Sequence, residues 1–205
     1  MSNPEEVMRL APVIPVLVID DVAHAVPIAQ ALVAGGLPAL EVTLRTPCAL
    51  DVIRAMKQVP GAVVGAGTVL NPRELDAALE AGAEFIVSPG LTPTLGKAAI
   101  VAGVPFLPGT ANASDIMLGL DLGLTRFKFF PAEASGGMAA LKAIAAPFGM
   151  ARFCPTGGIT PATAPDWLAL EAVICVGGSW IVPKGAPDVV RIEATARTAA
   201  ALKGR

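Results

Sequence analysis

Short segments rich in valine and isoleucine alternate with alanine- and leucine-rich segments along the whole of this 205-residue chain. This alternation is typical of repeated strand–helix units, in which each helix returns the chain to the next parallel strand. At about 25 residues per unit, the chain is close to the lower limit of ~200 residues for a (β/α)8 TIM barrel. The predicted strands are VIPVLVI (13–19), ALEVTL (39–44), AVVGAG (62–67), EFIVS (84–88), VPFLPG (104–109), RFKFF (126–130), ARFCPTG (151–157) and AVICVGG (172–178). A doubly wound open sheet is the alternative, but the even spacing of the units favours closure into a barrel.

The composition predicts one domain, residues 1–205. Hydrophobic residues make up 54% of the chain and charged residues only 16%, which suits a single large core. No Ser/Gly-rich linker or block of charge divides the chain. Helix starts are predicted at Asn71-Pro72 and at Ser114-Asp115, where capping residues precede helical segments.

Charge and hydropathy exclude two classes of partner. The formal net charge is -2, and the lysines and arginines are scattered, so we expect no binding of nucleic acid. No apolar run approaches the ~18 residues of a membrane span. The first residues, MSNPEEVMRL, also lack the basic and apolar regions of a signal peptide. The sequence therefore predicts a cytoplasmic protein with no membrane partner.

The residues that commonly bind metals are few. His24 is the only histidine, and we place it in a helical segment away from every strand end, which argues against zinc and against a histidine-dependent triad. The acidic residues near strand ends, chiefly Glu41 and Glu133, do not cluster by spacing as a magnesium site would require. We therefore expect no metal.

The chain has three cysteines, Cys48, Cys154 and Cys175. Their spacing fits no known metal-binding pattern, and Cys154 and Cys175 lie in apolar strand-like runs. Free cysteine in such a run usually packs as a small hydrophobic residue. We interpret all three as structural.

The predicted sixth strand carries a lysine between phenylalanines. Because side chains alternate along a strand, Phe127 and Phe129 would pack outward against helices while Lys128 faces the interior. The lysine could be charged and inert, paired with Glu41 across the barrel. Alternatively, desolvation and nearby Arg45 could lower the pKa of Lys128, so that its neutral amine forms a Schiff base with a carbonyl. We favour the second interpretation, because the apolar surroundings penalise a charged lysine.

The predicted second strand places Glu41, Thr43 and Arg45 on one face, towards the barrel interior. From this segment alone, a buried structural ion pair between Glu41 and Arg45 is as plausible as a catalytic role for these residues.

Two further strand ends carry small and polar residues. In GAGTVLNP, Gly65 and Gly67 would let the backbone approach a ligand and Thr68 offers a hydroxyl, but a tight strand-to-helix turn is the favoured interpretation of the segment alone. Leu70 stands where the third glycine of a dinucleotide fingerprint would lie, so that motif is not met. Turn chemistry alone explains Ser88-Pro89-Gly90 after the fourth strand.

Glycine pairs follow the last two predicted strands, in PTGGIT and VGGSW. The loops after strands seven and eight commonly form the phosphate site of such barrels, where backbone N–H groups surround the anion. Two Gly-Gly turns in these two places favour phosphate binding over plain turns.

Six segments together resemble a known family. EVTLRT, GAGTVLNP, SPGLT, FKFFPAE, FCPTGGI and VGGSW, in this order over roughly residues 12 to 185, resemble the class I 2-keto-3-deoxy-6-phosphogluconate (KDPG) aldolases, which include 4-hydroxy-2-oxoglutarate (KHG) aldolase activity. The resemblance implies a (β/α)8 barrel, usually a homotrimer. It also implies cleavage of a phosphorylated keto-deoxy sugar acid to pyruvate and glyceraldehyde 3-phosphate in the Entner–Doudoroff pathway, with no cofactor beyond the covalent imine.

The resemblance also implies roles for individual residues. Lys128 would form the Schiff base and Glu41 would be the general acid/base, while Arg45 and Thr68 would bind the pyruvate carboxylate. The other implied site residues are Pro89, which shapes the pocket, Thr156, which contacts the hydroxyl region where stereochemistry is decided, and the phosphate-binding residues Gly157, Gly158, Gly178 and Ser179.

Other functions stay open at this level. The substrate could instead be KHG or the galactonate epimer of KDPG. A noncatalytic phosphosugar-binding barrel would use Lys128 and Glu41 as a structural pair. A phosphoribosyl isomerase-like barrel would share the phosphate turns but would have no use for a Schiff-base lysine in strand six.

Overall fold

A computed structural model describes residues 3–202, so residues 1–2 and 203–205 of the predicted domain lie outside the described part. Strands and helices alternate along almost the whole chain. The strands are β1 Val13–Leu17, β2 Ala39–Thr43, β3 Val63–Gly67, β4 Phe85–Val87, β5 Phe106–Leu107, β6 Gly109–Thr110, β7 Arg126–Phe129, β8 Arg152–Pro155 and β9 Val176–Gly178. The helices are α1 Pro4–Met8, a 3-10 helix Val22–His24, α2 Ala25–Ala34, α3 Ala49–Met56, α4 Pro72–Glu80, α5 Pro93–Ala102, α6 Ala113–Asp121, α7 Gly137–Ala145, α8 Ala164–Leu168 and α9 Val189–Ala200.

All strand pairs are parallel, and they form two sheets. One sheet has the order β5-β4-β3-β2-β1-β9 and the other has the order β6-β7-β8. Isolated parallel bridges, Phe153 with Val173 and Thr156 with Gly177, connect β8 to the segment around β9. The α/β class and the parallel strands are therefore confirmed. These pairings do not by themselves demonstrate one closed eight-stranded barrel, which remains a prediction.

Each predicted strand segment contains an observed strand, but the fifth contains parts of two short strands in place of one. Pro108 divides it into β5 and β6, because proline has no N–H to donate to a neighbouring strand. The carbonyl of Pro108 nevertheless accepts a hydrogen bond of 2.8 Å from the N–H of Lys128. The backbone at Pro108 therefore helps to hold the lysine-bearing strand.

One of the two predicted helix starts is displaced. Asn71 caps α4 with its side chain and Pro72 is the first helical residue, as predicted. The cap of α6 is Asn112, whose Oδ1 accepts from the N–H of Asp115 at 3.1 Å. Asp115 in turn accepts from the N–H of Ala111 at 2.8 Å, so it belongs to the first turn of the helix and does not precede it.

The helices pack against the outer face of the strands, and a smaller cluster fills the interior. Val7 and Met8 of α1 are buried in this interior cluster with Ile14 and Phe85. Arg126, at the amino end of β7, forms an ion pair with Glu5 of α1. Helix α1 therefore covers the amino ends of the strands and leaves the carboxyl ends free for a site.

Within residues 3–202, no helix is both long enough and apolar enough to cross a lipid bilayer.

Candidate active site

Strand β7 directs Lys128 away from its two phenylalanine neighbours. Phe127 and Phe129 are fully buried in the cluster formed with the helices. The ring of Phe127 lies where a Cβ on Gly119 of α6 would be, so this glycine allows helix and strand to approach closely. The ring of Phe129 packs against that of Trp167 in α8, with centroids 6.4 Å apart. The alternation predicted for this strand is confirmed.

Lys128 and Glu41 form a buried ion pair. The Nζ atom of Lys128 lies 3.0 Å from Oε1 of Glu41, and the two residues are only 5% and 3% exposed. Nζ also lies 5.3 Å from the ring centroid of Phe130. Phe130, which follows directly on the lysine-bearing strand, was not among the predicted site residues. An amine and a carboxylate are therefore in direct contact in surroundings largely closed to water.

Glycines in β3 make room for two side chains. A Cβ on Gly67 would lie 2.3 Å from Oε1 of Glu41, and one on Gly65 would lie 2.4 Å from the ring of Phe85. The sequence had suggested that these glycines let the backbone approach a ligand. In the structure, the space beside them is occupied by Glu41 and Phe85, so Gly67 allows the carboxylate to reach its position beside Lys128.

Thr43, Arg45 and Thr68 lie at the carboxyl ends of β2 and β3. The hydroxyl of Thr43 donates to the carbonyl of Leu17 at 2.8 Å, and Nε of Arg45 donates to that hydroxyl at 3.3 Å. Arg45 itself is exposed at the open end. Thr68 has a φ of 61°, the one left-handed non-glycine residue among those that the structure describes. A β-branched residue is strained there, and such strain is concentrated at functional sites.

Pro89 is half-buried in the turn after β4. Its carbonyl oxygen lies where a Cβ on Gly109 would be, at a separation of 2.1 Å. The glycine at the start of β6 therefore lets this turn lie against the neighbouring strand.

The two glycine turns are adjacent. Buried Thr156 pairs with Gly177, and a Cβ on Gly177 would lie 2.2 Å from the threonine hydroxyl. Gly157 and Gly158 have φ values of 102° and 82°, which only glycine adopts without strain. Gly178 follows Gly177, so the turns after β8 and β9 lie side by side.

Gly178 and Ser179 differ in exposure. Gly178 is buried against the ring of Trp180, where a Cβ would lie 2.4 Å from the nearest ring atom. Ser179 is exposed. The two glycine turns and Ser179 therefore offer backbone N–H groups and one hydroxyl at the same end of the fold as Lys128.

One polar contact beside these turns was not predicted. The indole Nε1 of Trp167 donates to Oε1 of Glu133 at 3.0 Å. From the sequence, Glu133 was expected only to be an acidic residue near a strand end. Nothing in the spacing of residues 133 and 167 could have revealed the contact.

His24 and the cysteines supply none of the predicted site residues, although Sγ of Cys154 lies 3.9 Å from the hydroxyl of Thr156. His24 lies in the 3-10 helix that follows β1 and lines a small cleft together with Val18 and Ile19. Burial, together with neighbouring Cys154, raises the pKa of Cys175 well above its ordinary value, as expected for an unreactive structural thiol. Among residues 3–202, no group of three or more His, Cys, Asp or Glu side chains is placed to hold a metal ion.

A sizeable open cleft lies away from these residues. It has a volume of about 370 Å³ and is lined by α7 and the amino-end segments before β8 and β9, including Lys142, Phe148, Arg152 and Glu171. None of its lining residues is a candidate site residue. The buried ion pair and the glycine turns give a better chemical reason for a site than this cleft does.

Comparisons with known proteins agree with the geometry. A model of the family described as KDPG and KHG aldolase matches residues 5–195. The 2-dehydro-3-deoxy-phosphogluconate aldolase of Zymomonas mobilis is 65% identical to this chain over 203 residues, covering 99% of this chain and 98% of the relative.

Two solved structures are also similar. The crystal structure of the Zymomonas mobilis 2-keto-3-deoxy-6-phosphogluconate aldolase with 3-phosphoglycerate has a TM-score of 0.98 and 65% identity, covering 100% of this chain and 98% of that one. A KDPG aldolase from Legionella pneumophila, with pyruvate captured as a covalent carbinolamine intermediate, has a TM-score of 0.91 and 43% identity, covering 98% of both chains. The chain presented here belongs to the KDPG and KHG aldolase family.

Proposed function

We propose that this protein is a class I aldolase that cleaves KDPG to pyruvate and D-glyceraldehyde 3-phosphate in the Entner–Doudoroff pathway. The observation that carries the proposal is the 3.0 Å contact between the buried Lys128 amine and the Glu41 carboxylate. An inert ion pair would show the same contact. Membership of an aldolase family, whose members are carbon–carbon lyases, favours the catalytic interpretation over a noncatalytic phosphosugar-binding barrel and over an isomerase.

Lys128 supplies the nucleophile in the proposed reaction. Its neutral amine attacks the C2 carbonyl to give a carbinolamine, which loses water to form a protonated imine. The imine withdraws electrons, so the C3–C4 bond breaks and its electron pair is held as an enamine. The carbinolamine captured in the Legionella pneumophila relative supports the first of these steps.

Glu41 moves the protons. It accepts the proton of the C4 hydroxyl as glyceraldehyde 3-phosphate leaves, and then returns a proton to C3 of the enamine. Water hydrolyses the resulting pyruvate imine and regenerates the lysine. Contact between Glu41 and Lys128 supports this role, because the base must reach C3, which is bonded to the imine carbon, and the hydroxyl on the adjacent C4.

The remaining residues orient the substrate in this proposal. Arg45 and Thr68, at the open ends of β2 and β3, bind the C1 carboxylate, for which a guanidinium offers two parallel hydrogen bonds. Pro89 shapes the pocket, and Thr156 contacts the hydroxyl region where stereochemistry is decided. Gly157, Gly158, Gly178 and Ser179 bind the phosphate. These residues lie at the ends of the neighbouring strands β8 and β9 or in the turns that follow them, and Gly157 and Gly158 form a left-handed turn. Both observations support this assignment.

We also propose that residues 1–205 form one domain built as a closed barrel. Only Pro108 separates β5 from β6, so these two short strands together continue one strand. The bridges from Phe153 and Thr156 connect β8 to the β9 segment, which brings the strand order back to β1. These contacts support closure with β5 and β6 counted as a single strand.

The protein acts as a homotrimer in this proposal, without a metal or organic cofactor. Family resemblance is the basis for the trimer. Sedimentation equilibrium should give three times the chain mass of 20.7 kDa, and a monomer mass would contradict the trimer. Dialysis against a chelator should leave the activity unchanged.

Steady-state kinetics test the substrate. The rate of pyruvate release is compared for KDPG, its galactonate epimer and KHG, which lacks the phosphate. We expect the highest kcat/KM with KDPG, because the glycine turns add binding energy that KHG cannot use. Equal kcat/KM values for KDPG and KHG would contradict the phosphate assignment. A higher value with the galactonate epimer would contradict the choice of KDPG as substrate. Absence of pyruvate release from all three compounds would contradict the aldolase assignment.

A further inference from the structure

Glu133 contacts the Gly157–Gly158 turn from the segment that follows β7. Its N–H donates to the carbonyl of Gly157 at 3.1 Å. A Cβ on Gly158 would lie 2.7 Å from both Cβ and Cγ of Glu133. The main-chain bond therefore joins the two segments, and Gly158 leaves room for the aliphatic stem of Glu133 to lie against the turn.

Trp167 fixes the carboxylate end of Glu133. The indole is fully buried, and its N–H donates to Oε1 of Glu133 at 3.0 Å. A buried indole N–H without a partner is costly, so the bond favours one orientation of the Glu133 side chain, although this residue is exposed. The same indole packs on Phe129, the neighbour of Lys128 in β7. The glutamate is thus tied to a rigid part of the fold.

We infer that Glu133, held by Trp167, is a positioning residue that keeps the Gly157–Gly158 turn ready to bind phosphate and so sets the preference for phosphorylated substrates. The inference rests on the proposed function, because the turn must first be the phosphate site. Glu133 acts through the shape of the turn and through one accepting oxygen. Glutamine, which keeps that oxygen and the same stem, should therefore replace it.

The test compares Glu133→Ala and Glu133→Gln with the wild type on KDPG and on KHG. Glu133→Ala should raise KM for KDPG at least tenfold with kcat changed less than threefold, and KM for KHG should stay within twofold. Glu133→Gln should restore KM for KDPG to within threefold of wild type. Glu171→Ala, which removes an exposed glutamate at the amino end of the fold, is the matched control and should match the wild type on both substrates.

Trp167→Phe gives a second measurement in case the alanine variant unfolds. It removes the N–H but keeps an aromatic ring. Like Glu133→Ala, it should raise KM for KDPG and leave KM for KHG unchanged. An unchanged KM for KDPG in Glu133→Ala, an equal loss on both substrates, or a glutamine variant as weak as the alanine variant would overturn the inference. Failure of the proposed function is seen separately, as a wild type that does not favour KDPG over KHG.

Discussion

The side-chain nitrogen of Lys128 donates a hydrogen bond of 3.0 Å to Oε1 of Glu41, which lies 87 positions earlier in the chain. Both groups are buried, and a buried ion pair is weak support for stability because desolvation offsets most of the attraction. The position of the pair is better explained by chemistry. One group becomes the nucleophile once it has lost its proton, and the other can carry protons next to it.

Replacing Glu41 by glutamine should remove the proton carrier while keeping the side chain's shape. We expect kcat for KDPG cleavage to fall by about 10²- to 10⁴-fold, the usual contribution of general acid–base catalysis. Exchange of the pyruvate methyl protons with deuterated water, followed by NMR, should fall in parallel. A variant that folds, as judged by circular dichroism, and still exchanges these protons at the wild-type rate would contradict the role of Glu41.

Gly67→Ala should damage the site without touching a substrate-binding group. The added Cβ would lie 2.3 Å from Oε1 of Glu41, so the carboxylate must move away from Lys128. A displacement of this size should lower kcat by about 10- to 100-fold. The matched control is Gly149→Ala, whose Cβ would have no neighbour within 4 Å, and it should retain full activity. Equal activity of the two variants would show that the position of Glu41 does not matter.

Thr68→Gly should make the protein more stable but weaken substrate binding. Glycine adopts the left-handed conformation at φ 61° without strain, whereas threonine does not. Relief of this strain should stabilise the folded protein, while the larger conformational entropy of glycine in the unfolded chain offsets part of the gain. We expect a net increase of roughly 1 kcal/mol in the free energy of unfolding. Loss of the hydroxyl should raise KM. Urea unfolding and steady-state kinetics measure the two effects, and a destabilised or fully active variant would contradict this account.

The ion pairs of Glu5 should make stability depend on pH. Hydrogen bonds from Arg126 and then from Arg9 hold the pKa of Glu5 below its ordinary value. Since the unfolded chain binds this proton first as the pH falls, the stabilisation is fully present above about pH 4.3, the ordinary pKa of glutamate, and is lost as the pH falls through the lowered pKa.

Urea unfolding of the wild type and Glu5→Gln at a series of pH values measures this contribution. The wild type should be the more stable by at most about 1 kcal/mol at pH 7, because ion pairs near the surface contribute little. The difference should shrink as the solution is acidified to about pH 3. A difference that grows towards low pH would contradict the sign of the pKa shift.

Local patterns predicted most of the fold. The alternation of side chains in RFKFF placed Phe127 and Phe129 outward and Lys128 inward, and both placements are confirmed. The division of the fifth strand at Pro108 was missed, although the lack of an N–H on proline could have indicated it. The start of α6 was misplaced because the capping residue is Asn112, two positions before Ser114.

The contacts between distant residues were harder to predict. Pairing of Lys128 with Glu41 could be proposed as an alternative because both side chains were expected to face the interior. The bond between Trp167 and Glu133 could not, since it depends on how α8 packs against the segment that follows β7. The strained φ of Thr68 was also invisible, because threonine in a sequence gives no sign of a left-handed backbone.

The most direct test of the central claim is covalent trapping of pyruvate on the protein with borohydride, followed by peptide mass spectrometry. We predict a single reduced adduct on Lys128, none on the other lysines such as Lys97 or Lys142, and no adduct in Lys128→Arg. An unmodified protein, or one labelled at another lysine, would contradict the assignment of Lys128 as the Schiff-base residue.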